Sequence, residues 1–228
     1  MNSPIPAEYF EPWRQAISER LLDEIAAELK KPVAGLTKQD VETVGILKLG
    51  NAEIRTLAPL EKFRSLWMLQ LSTNPIENVE PLAKLTRLEV LALDATWAAD
   101  LSPLAGLTNL RGLFLSDSMV ADLSPLHALH SLSLLHLGFT PVTDLSPLAG
   151  STRLKTLDVA GTEVRDFSPL IELPELSHLR VSNLSRAALK NLRKMLPRCE
   201  VLNLGQLGRF DAPPGTPGAR PPLGREID

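Results

Sequence analysis

A 22-residue period runs through most of this chain and constrains its fold more than any other feature. Each unit reads L-x-x-L-x-L-x-x-(N/T/S)-x-(V/I)-x-D-L-S-P-L-x-x-L. A repeat of this length indicates a stack of similar small units that share one continuous core. The seven units begin at Val44, Leu66, Leu88, Leu110, Leu132, Leu154 and Leu176.

Within each unit the pattern predicts a short strand followed by a short helical turn. In L-x-L the two leucines point inward and the residues beside them point outward, as strand alternation requires. A Thr or Asn at the ninth position is expected to bond loop backbone. In Ser-Pro, Ser is expected to cap the turn and Pro to occupy its first positions, where a missing N–H costs little.

This motif resembles the bacterial, internalin-like branch of the leucine-rich-repeat family, and it is also similar to the repeats of a phosphatase regulatory subunit with the same period. The resemblance covers residues 44 to about 183. It implies an α/β fold, a right-handed leucine-rich-repeat solenoid with a parallel concave β-sheet, short convex helical turns and helical caps at both ends. It further implies protein binding on the concave surface and carries over no catalytic residue.

The segments before and after the repeats are expected to close the stack. Apolar residues at helical spacing, with Ile17 among them, predict a helix that ends before Pro32, and Thr37 with Asp40 resembles a capping box. An arm that binds a partner is the alternative for this helix. The predicted organisation is a flexible N-terminus at 1–12, an N-terminal cap at 13–43, seven repeats at 44–183, a C-terminal cap at 184–207 and a disordered Pro/Gly-rich tail at 208–228.

The C-terminal cap departs from the repeat. Ser185 is expected to cap a longer helix that ends at Pro197. A final strand is expected to follow after a slip of one residue, with Cys199, Leu202 and Leu204 in the leucine positions. Cys199 is therefore interpreted as a buried, inert core residue. In the tail, a polyproline-type ligand in Arg-Pro-Pro-Leu is the alternative to a plain tail.

The fixed register identifies the residues of the concave face, which are those at the third and fifth positions of each unit. Its N-terminal half is apolar, with Trp67 at a second position beside it, and its C-terminal half is polar. An apolar patch that ends in charges is typical of a binding interface. The predicted partner-binding residues on this face and beside it are Trp67, Met68, Val90, Phe114, Leu134, His136, Asp158 and Arg180.

Two more aromatic residues, Trp97 and Phe139, fall at variable loop positions and are predicted to bind a partner as well. Trp97, Met119 and Pro141 share the tenth position of three successive units and are expected to form a ridge on the loop edge. The alternative is that these side chains fold down onto neighbouring loops.

The polar side chains do not form a catalytic pattern. His136 and His178 lie two units apart, about 10 Å by strand spacing, which is too far to share a metal. His136 beside Asp158 has no poised nucleophile, so a charge ladder with Arg180 explains the pair. We therefore expect no enzyme activity, no cofactor and no metal. A recurrent aspartate suggests either a calcium row or, as we expect, bonds to loop backbone, at Asp100, Asp122, Asp144 and Asp166.

A net charge of −3 gives no support for nucleic-acid binding, and no apolar run predicts membrane insertion. The single cysteine and the absence of an apolar leader predict a cytoplasmic protein, with export without a recognisable signal as the alternative. We also expect a monomer. Three hypotheses follow: an intracellular binding module or regulatory scaffold that recognises another protein, an exported host-interaction protein of adhesin or effector type, and a self-assembling structural protein.

Overall fold

A computed structural model describes residues 19–205, with side chains from residue 21 onward, and its main feature is a parallel sheet of eight strands in sequence order. The predicted segments 1–12 and 208–228, and Ile17, lie outside the described residues. The strands are β1 (Ile46–Lys48), β2 (Met68–Gln70), β3 (Val90–Ala92), β4 (Gly112–Phe114), β5 (Leu134–His136), β6 (Thr156–Asp158), β7 (His178–Val181) and β8 (Glu200–Asn203).

Every pair of neighbouring strands joins residues that are 22 positions apart. Leu47 pairs with Leu69, for example, and Leu135 with Leu157. The fourth-position leucines are buried completely, while third and fifth positions face the other side of the sheet. Each position therefore forms a straight column across the strands. The predicted alternation of inward and outward residues is confirmed.

The side of the stack opposite the strands carries short 3₁₀ helices, which confirms the predicted helical turns. Each has a proline within its first two residues and a buried leucine that closes the core behind the sheet. These helices span Ala58–Lys62, Glu80–Lys84, Ser102–Leu104, Ser124–Ala128, Ser146–Leu148 and Ser168–Leu170.

The prediction that Ser caps these turns was wrong. The residue before each helix is the apolar fourteenth position, and its side chain makes no cap bond. Instead, the aspartate two residues before the serine accepts the serine amide, at 2.8 Å from Ser102 N to Asp100 Oδ1. An aspartate side chain reaches the amide two residues on, so it supplies the acceptor that the serine was expected to supply.

The N-terminal end of the stack is covered by two helices, α1 (Glu19–Glu28) and α2 (Lys38–Thr43). Leu21 and Ile25 of α1 are fully buried and belong to the same core as the repeats. Helix α2 begins with the predicted capping box, in which Thr37 Oγ1 accepts Asp40 N and Thr37 N donates to Asp40 Oδ2 at 2.8 Å. The short 3₁₀ helix Val33–Gly35 lies between α1 and α2.

At the other end, α3 (Arg186–Met195) begins as predicted, with Ser185 Oγ accepting Ala188 N at 3.1 Å. The predicted slip of the last strand was wrong. Leu179 pairs with Val201 and Arg180 with Leu202, so the step of 22 residues is kept. A slip by one residue would turn every side chain of β8 to the opposite face. Val201 therefore fills the leucine position, and Leu202 is 50% exposed on the concave face.

A left-handed backbone conformation recurs at the eighth position of each unit. Its amide can thereby donate to the next unit, as from Thr73 N to Asp94 O at 2.8 Å and from Ala95 N to Ser116 O at 2.7 Å. Only two of the eight residues are glycine, so residue type did not reveal the turn. The residues with positive φ at this position are Asn51, Thr73, Ala95, Asp117, Phe139, Gly161, Asn183 and Gly205.

Replacing Thr73 by glycine should stabilise the protein. Thr73 has a φ of +61°, which disfavours a side chain branched at Cβ and suits glycine. We expect the free energy of unfolding to rise by about 1 kcal/mol for Thr73→Gly, measured by urea denaturation. Asn51→Gly is the matched control at the same position and should give a smaller gain, because asparagine tolerates this conformation. A lower stability of Thr73→Gly would contradict the assigned turn.

Replacing Leu135 by alanine should destabilise the stack strongly. This side chain lies in the middle of the leucine column and is completely buried. We expect Leu135→Ala to lower the free energy of unfolding by about 2–5 kcal/mol, as for other large-to-small changes in a packed core. Leu157→Ala, one unit further on, should behave in the same way. Denaturant melts that show little loss for both variants would contradict the register.

Candidate functional site

The concave face carries a continuous apolar patch on β2 to β5. Met68, Val90 and Leu134 stand in one column and are half-buried. Gly112 interrupts this column, and the ring of Phe114 lies beside the gap, with its Cε2 atom 3.5 Å from the point that a Cβ of Gly112 would occupy. The missing side chain therefore leaves room for the aromatic ring.

Phe114 is positioned by its neighbour on the next strand. Its ring meets that of His136 edge to face, with centroids 5.0 Å apart and planes at 79°. Contacts of this geometry favour one arrangement of both rings. His136 thus extends the apolar patch, and no hydrogen bond joins it to Asp158 in the described part of the chain. The charge ladder that we expected from His136 through Asp158 to Arg180 therefore lacks the contact between His136 and Asp158.

Trp67 extends the patch along the second position, where it is 41% exposed. Its indole lies over the preceding unit at a glycine, since a Cβ at Gly45 would be 2.6 Å from Trp67 Nε1. Ile46, which is 37% exposed on β1, continues the third-position column at this end. The apolar patch, defined as Trp67, Met68, Val90, Phe114 and Leu134, therefore consists of side chains that are partly covered and partly open to solvent.

The polar end of the face is built around a buried carboxylate. Asp158 is 6% exposed, and its Oδ2 atom lies 2.9 Å from Arg180 Nη1. Its Oδ1 atom accepts Ala160 N at 2.9 Å, which fixes the carboxylate to the following loop. The side chain of Arg180 is 44% exposed. Asp158 therefore supports Arg180, and Arg180 is the group that solvent or a partner can reach.

Trp97 and Phe139 lie on the loop edge, away from the columns of the concave face. The guanidinium of Arg55 is 5.6 Å from the centre of the Trp97 ring. Phe139 packs on the next loop, where a Cβ at Gly161 would be 2.5 Å from its ring. Both rings are half-buried, and these contacts match the alternative that they fold onto neighbouring loops.

Sequence reasoning missed Leu202 as a residue of the concave face. Leu202 lies 22 residues after Arg180 and pairs with it. The neighbouring apolar residues had suggested a register shifted by one residue, which placed Leu202 on the inside. It stands beside Arg180 at the C-terminal end of the fifth-position column.

Three solved structures resemble this chain. One internalin of Listeria monocytogenes has a TM-score of 0.66 and 24% identity, over 90% of this chain and 67% of that chain. Internalin C2 of the same species has a TM-score of 0.64 and 28% identity, over 90% of this chain and 99% of that chain. A leucine-rich-repeat protein of Leptospira interrogans has a TM-score of 0.63 and 22% identity, over 68% of this chain and 42% of that chain.

The parallel sheet, its 22-residue register and the likeness to these three structures all indicate the same fold. The chain has the leucine-rich-repeat fold, with repeats of the internalin-like type. No protein-family model and no curated protein matches the sequence. A leucine-rich-repeat fold of this type supports a role in protein interaction in general. Among residues 19–205, no helix has the length and apolar composition needed to cross a membrane.

The recurrent aspartates of the leucine-rich repeats bond loop backbone, as we expected. Each Oδ1 atom accepts the amide of the serine two residues on at 2.8 Å. Hydrogen bonds from the serine hydroxyl and amide lower the pKa of Asp100, Asp122 and Asp144, and for Asp166 the amide bond has the larger effect. Within the described residues no cluster of three or more metal-ligating side chains occurs.

The remaining reactive side chain, Cys199, lies at the C-terminal cap. It occupies a second position, not the leucine position predicted for it, and it is half-buried against the core. Burial, together with the neighbouring carboxylate of Glu200, raises the pKa of the thiol to about 11. The thiol therefore stays protonated at neutral pH and is a poor nucleophile.

Acid should destabilise the protein partly through the four aspartates. Their pKa lies below the ordinary value of 3.8, so their contribution to stability is present above that pH and is lost as the pH falls below it. Asparagine keeps the acceptor oxygen but does not titrate. We expect the Tm of a variant with all four aspartates changed to asparagine to fall less than that of the wild type between about pH 5 and pH 3.

The control changes four other exposed carboxylates, Asp23, Glu28, Glu77 and Glu172, to their amides and should keep the wild-type slope. Equal slopes for the quadruple Asp→Asn variant and the wild type would show that the aspartates do not act through charge.

Proposed function

We propose that this chain is a protein–protein interaction module, an intracellular binding or regulatory scaffold that recognises its partner on the concave face. The observation that supports this most is the apolar patch on β2 to β5. Met68, Val90, Phe114 and Leu134 stand on adjacent strands, Trp67 directly precedes β2, and all five side chains are partly exposed. It ends at the Asp158–Arg180 pair. Aromatic residues, methionine and arginine are residue types that interfaces favour, and the patch with Arg180 supplies all three.

Two side chains of the patch are held by contacts within the chain. Phe114 is held by His136 and by the gap at Gly112, and Trp67 is held over Gly45. Side chains that are already fixed lose less conformational freedom on binding, which favours affinity. The four strands span about 14 Å at the usual strand spacing, a width that suits a helix or a loop of a partner.

We also propose that the module acts without catalysis and without a cofactor, and that the chain is a cytoplasmic monomer. Asp158 is fixed by its hydrogen bonds, the His136 ring packs on Phe114, and the Cys199 thiol is protonated at neutral pH. None of these groups supplies an activated nucleophile. The single cysteine fits a reducing compartment.

A second function is an exported host-interaction protein of adhesin or effector type. The observation that favours it is the likeness to two internalins of Listeria monocytogenes. Measuring the protein in culture medium and in the cell fraction of its natural host separates the two proposals. Self-assembly is the third possibility, and a mass that rises with concentration would support it.

The concave site can be tested by capture of partners from native lysate. The variant Phe114→Ala, Leu134→Ala removes two anchors and should lose the partner that the wild-type protein captures. Because both side chains are half-buried, we expect the variant to remain folded, with a smaller loss of stability than Leu135→Ala. Circular dichroism and a thermal melt check this.

The matched control is His127→Ala, His130→Ala, which removes two exposed rings on the convex side. It should capture the same partner as the wild type. Capture by the concave variant at wild-type levels would move the binding site away from the patch.

A further inference from the structure

The C-terminal cap carries a concentration of positive charge that the rest of the chain does not. Five cations and no acid occur between Ser185 and Arg198, in a protein whose net charge is −3. Residues four apart on a helix lie on the same side, so part of this charge forms one row along α3. We define the cationic face as Arg186, Lys190, Arg193 and Lys194, all of which are exposed.

Elsewhere on the surface, some cations are paired and others, such as Arg64 and Arg87, form no ion pair within residues 19–205. Lys84 binds Glu61 at 2.7 Å, for example, and Arg180 binds Asp158 at 2.9 Å. On the cationic face, Arg186, Lys190 and Lys194 lie close together and make no ion pair or side-chain hydrogen bond within residues 19–205. Only Arg193 has a partner, since its Nη2 atom donates to Val201 O at 3.0 Å.

Helix stability does not explain the full row. Cations in the last turn interact favourably with the helix dipole, which accounts for Arg193 and Lys194. Arg186, however, is in the first turn, where positive charge is unfavourable, and like charges four residues apart repel each other. This row of charges disfavours the isolated helix. A negatively charged partner that neutralises the row explains its presence.

A groove with both apolar and polar lining lies next to the cationic face. Ile171 is 47% exposed and Met195 39% exposed, and they account for two of the five large hydrophobic side chains that are exposed in the described chain. They line one cavity of about 330 Å³ together with Pro174 and Arg198. The groove and the cationic face meet at the C-terminal end of α3, where Lys194 precedes Met195.

We propose that the C-terminal cap is a second binding surface, which takes an acidic segment of a partner protein with one apolar anchor residue. The carboxylates of the segment pair with the cationic face, and the anchor fills the groove between Ile171 and Met195. This surface is separate from the concave patch, and its chemistry is different. The two sites would let one chain bind two partners, or two regions of one partner.

The shape of the surface favours a peptide over other anions. A cavity of about 330 Å³ accepts one or two side chains, whereas a bilayer surface needs no cavity. Nucleic acid is favoured by basic stripes with stacking aromatics, and the cap offers one helix about 15 Å long without an aromatic residue.

The test uses the full chain as bait for a displayed library of random 12-residue peptides. Selection on the wild type is followed by removal of peptides that also bind the variant Arg186→Glu, Lys190→Glu, Lys194→Glu. We expect the remaining peptides to be rich in Asp and Glu and to share one apolar position. Peptides that bind the concave patch are removed, because this variant keeps that patch.

The matched control is Arg64→Glu, Arg87→Glu, Arg153→Glu, which changes the net charge by the same amount at exposed residues of the convex side. A selected peptide, measured by fluorescence anisotropy, should bind the α3 variant at least tenfold more weakly and the control less than threefold more weakly. The variant Ile171→Ser, Met195→Ser should weaken binding at least threefold. Raising NaCl from about 50 to 300 mM should weaken binding to the wild type. The single variant Lys190→Glu provides a folded alternative if the triple variant is unstable.

Three results would overturn the proposal. One is a selection that yields no peptides or no acidic bias. Another is an equal loss of peptide binding in the α3 variant and in the convex control. The third is binding that depends on the cationic face but is limited to phosphatidylserine vesicles or to duplex DNA, which would assign the surface to a membrane or to nucleic acid.

Discussion

The parallel hydrogen-bond ladder between units is the interaction on which the rest of this structure depends. Each strand binds the strand of the next unit with a fixed offset of 22 residues, from β1 to β8. Because the offset is constant, leucines stack on leucines on the inside, and each outward position becomes a column. A change of register by one residue would exchange the two sides and expose the core.

The left-handed turn after each strand is a second constraint of the same kind. Its amide continues the ladder into the loop, as from Phe139 N to Ala160 O at 2.8 Å. Because the conformation is required by pairing with the neighbouring unit, threonine, alanine and phenylalanine adopt it as well as glycine. Tertiary pairing here outweighs the local preference of these residues, and the strain is spread over many units.

The same ladder produces two surfaces of different character. On the concave face it aligns half-exposed apolar side chains on β2 to β5, and Arg180, which Asp158 holds in place, lies beyond them on β7. Among the described residues the last strand is β8, and α3 packs on the core through Leu192. The outer side of α3 presents the cationic face, on which only Arg193 has a hydrogen-bond partner within residues 19–205. We propose that the concave face binds one partner or region and the C-terminal cap another.

The sequence by itself determined the period, the inward leucines, the parallel sheet, the capping box at Thr37 and the bonds of the recurrent aspartates. These features depend on which residue types recur at a fixed spacing along the chain, and the sequence shows both directly. Only the tertiary structure decided the register of β8, the left-handed turns, and the positions of Trp67 over Gly45 and of Phe114 beside Gly112. Each of these depends on main-chain pairing or on space left by a neighbouring residue, and a local pattern carries no information about either.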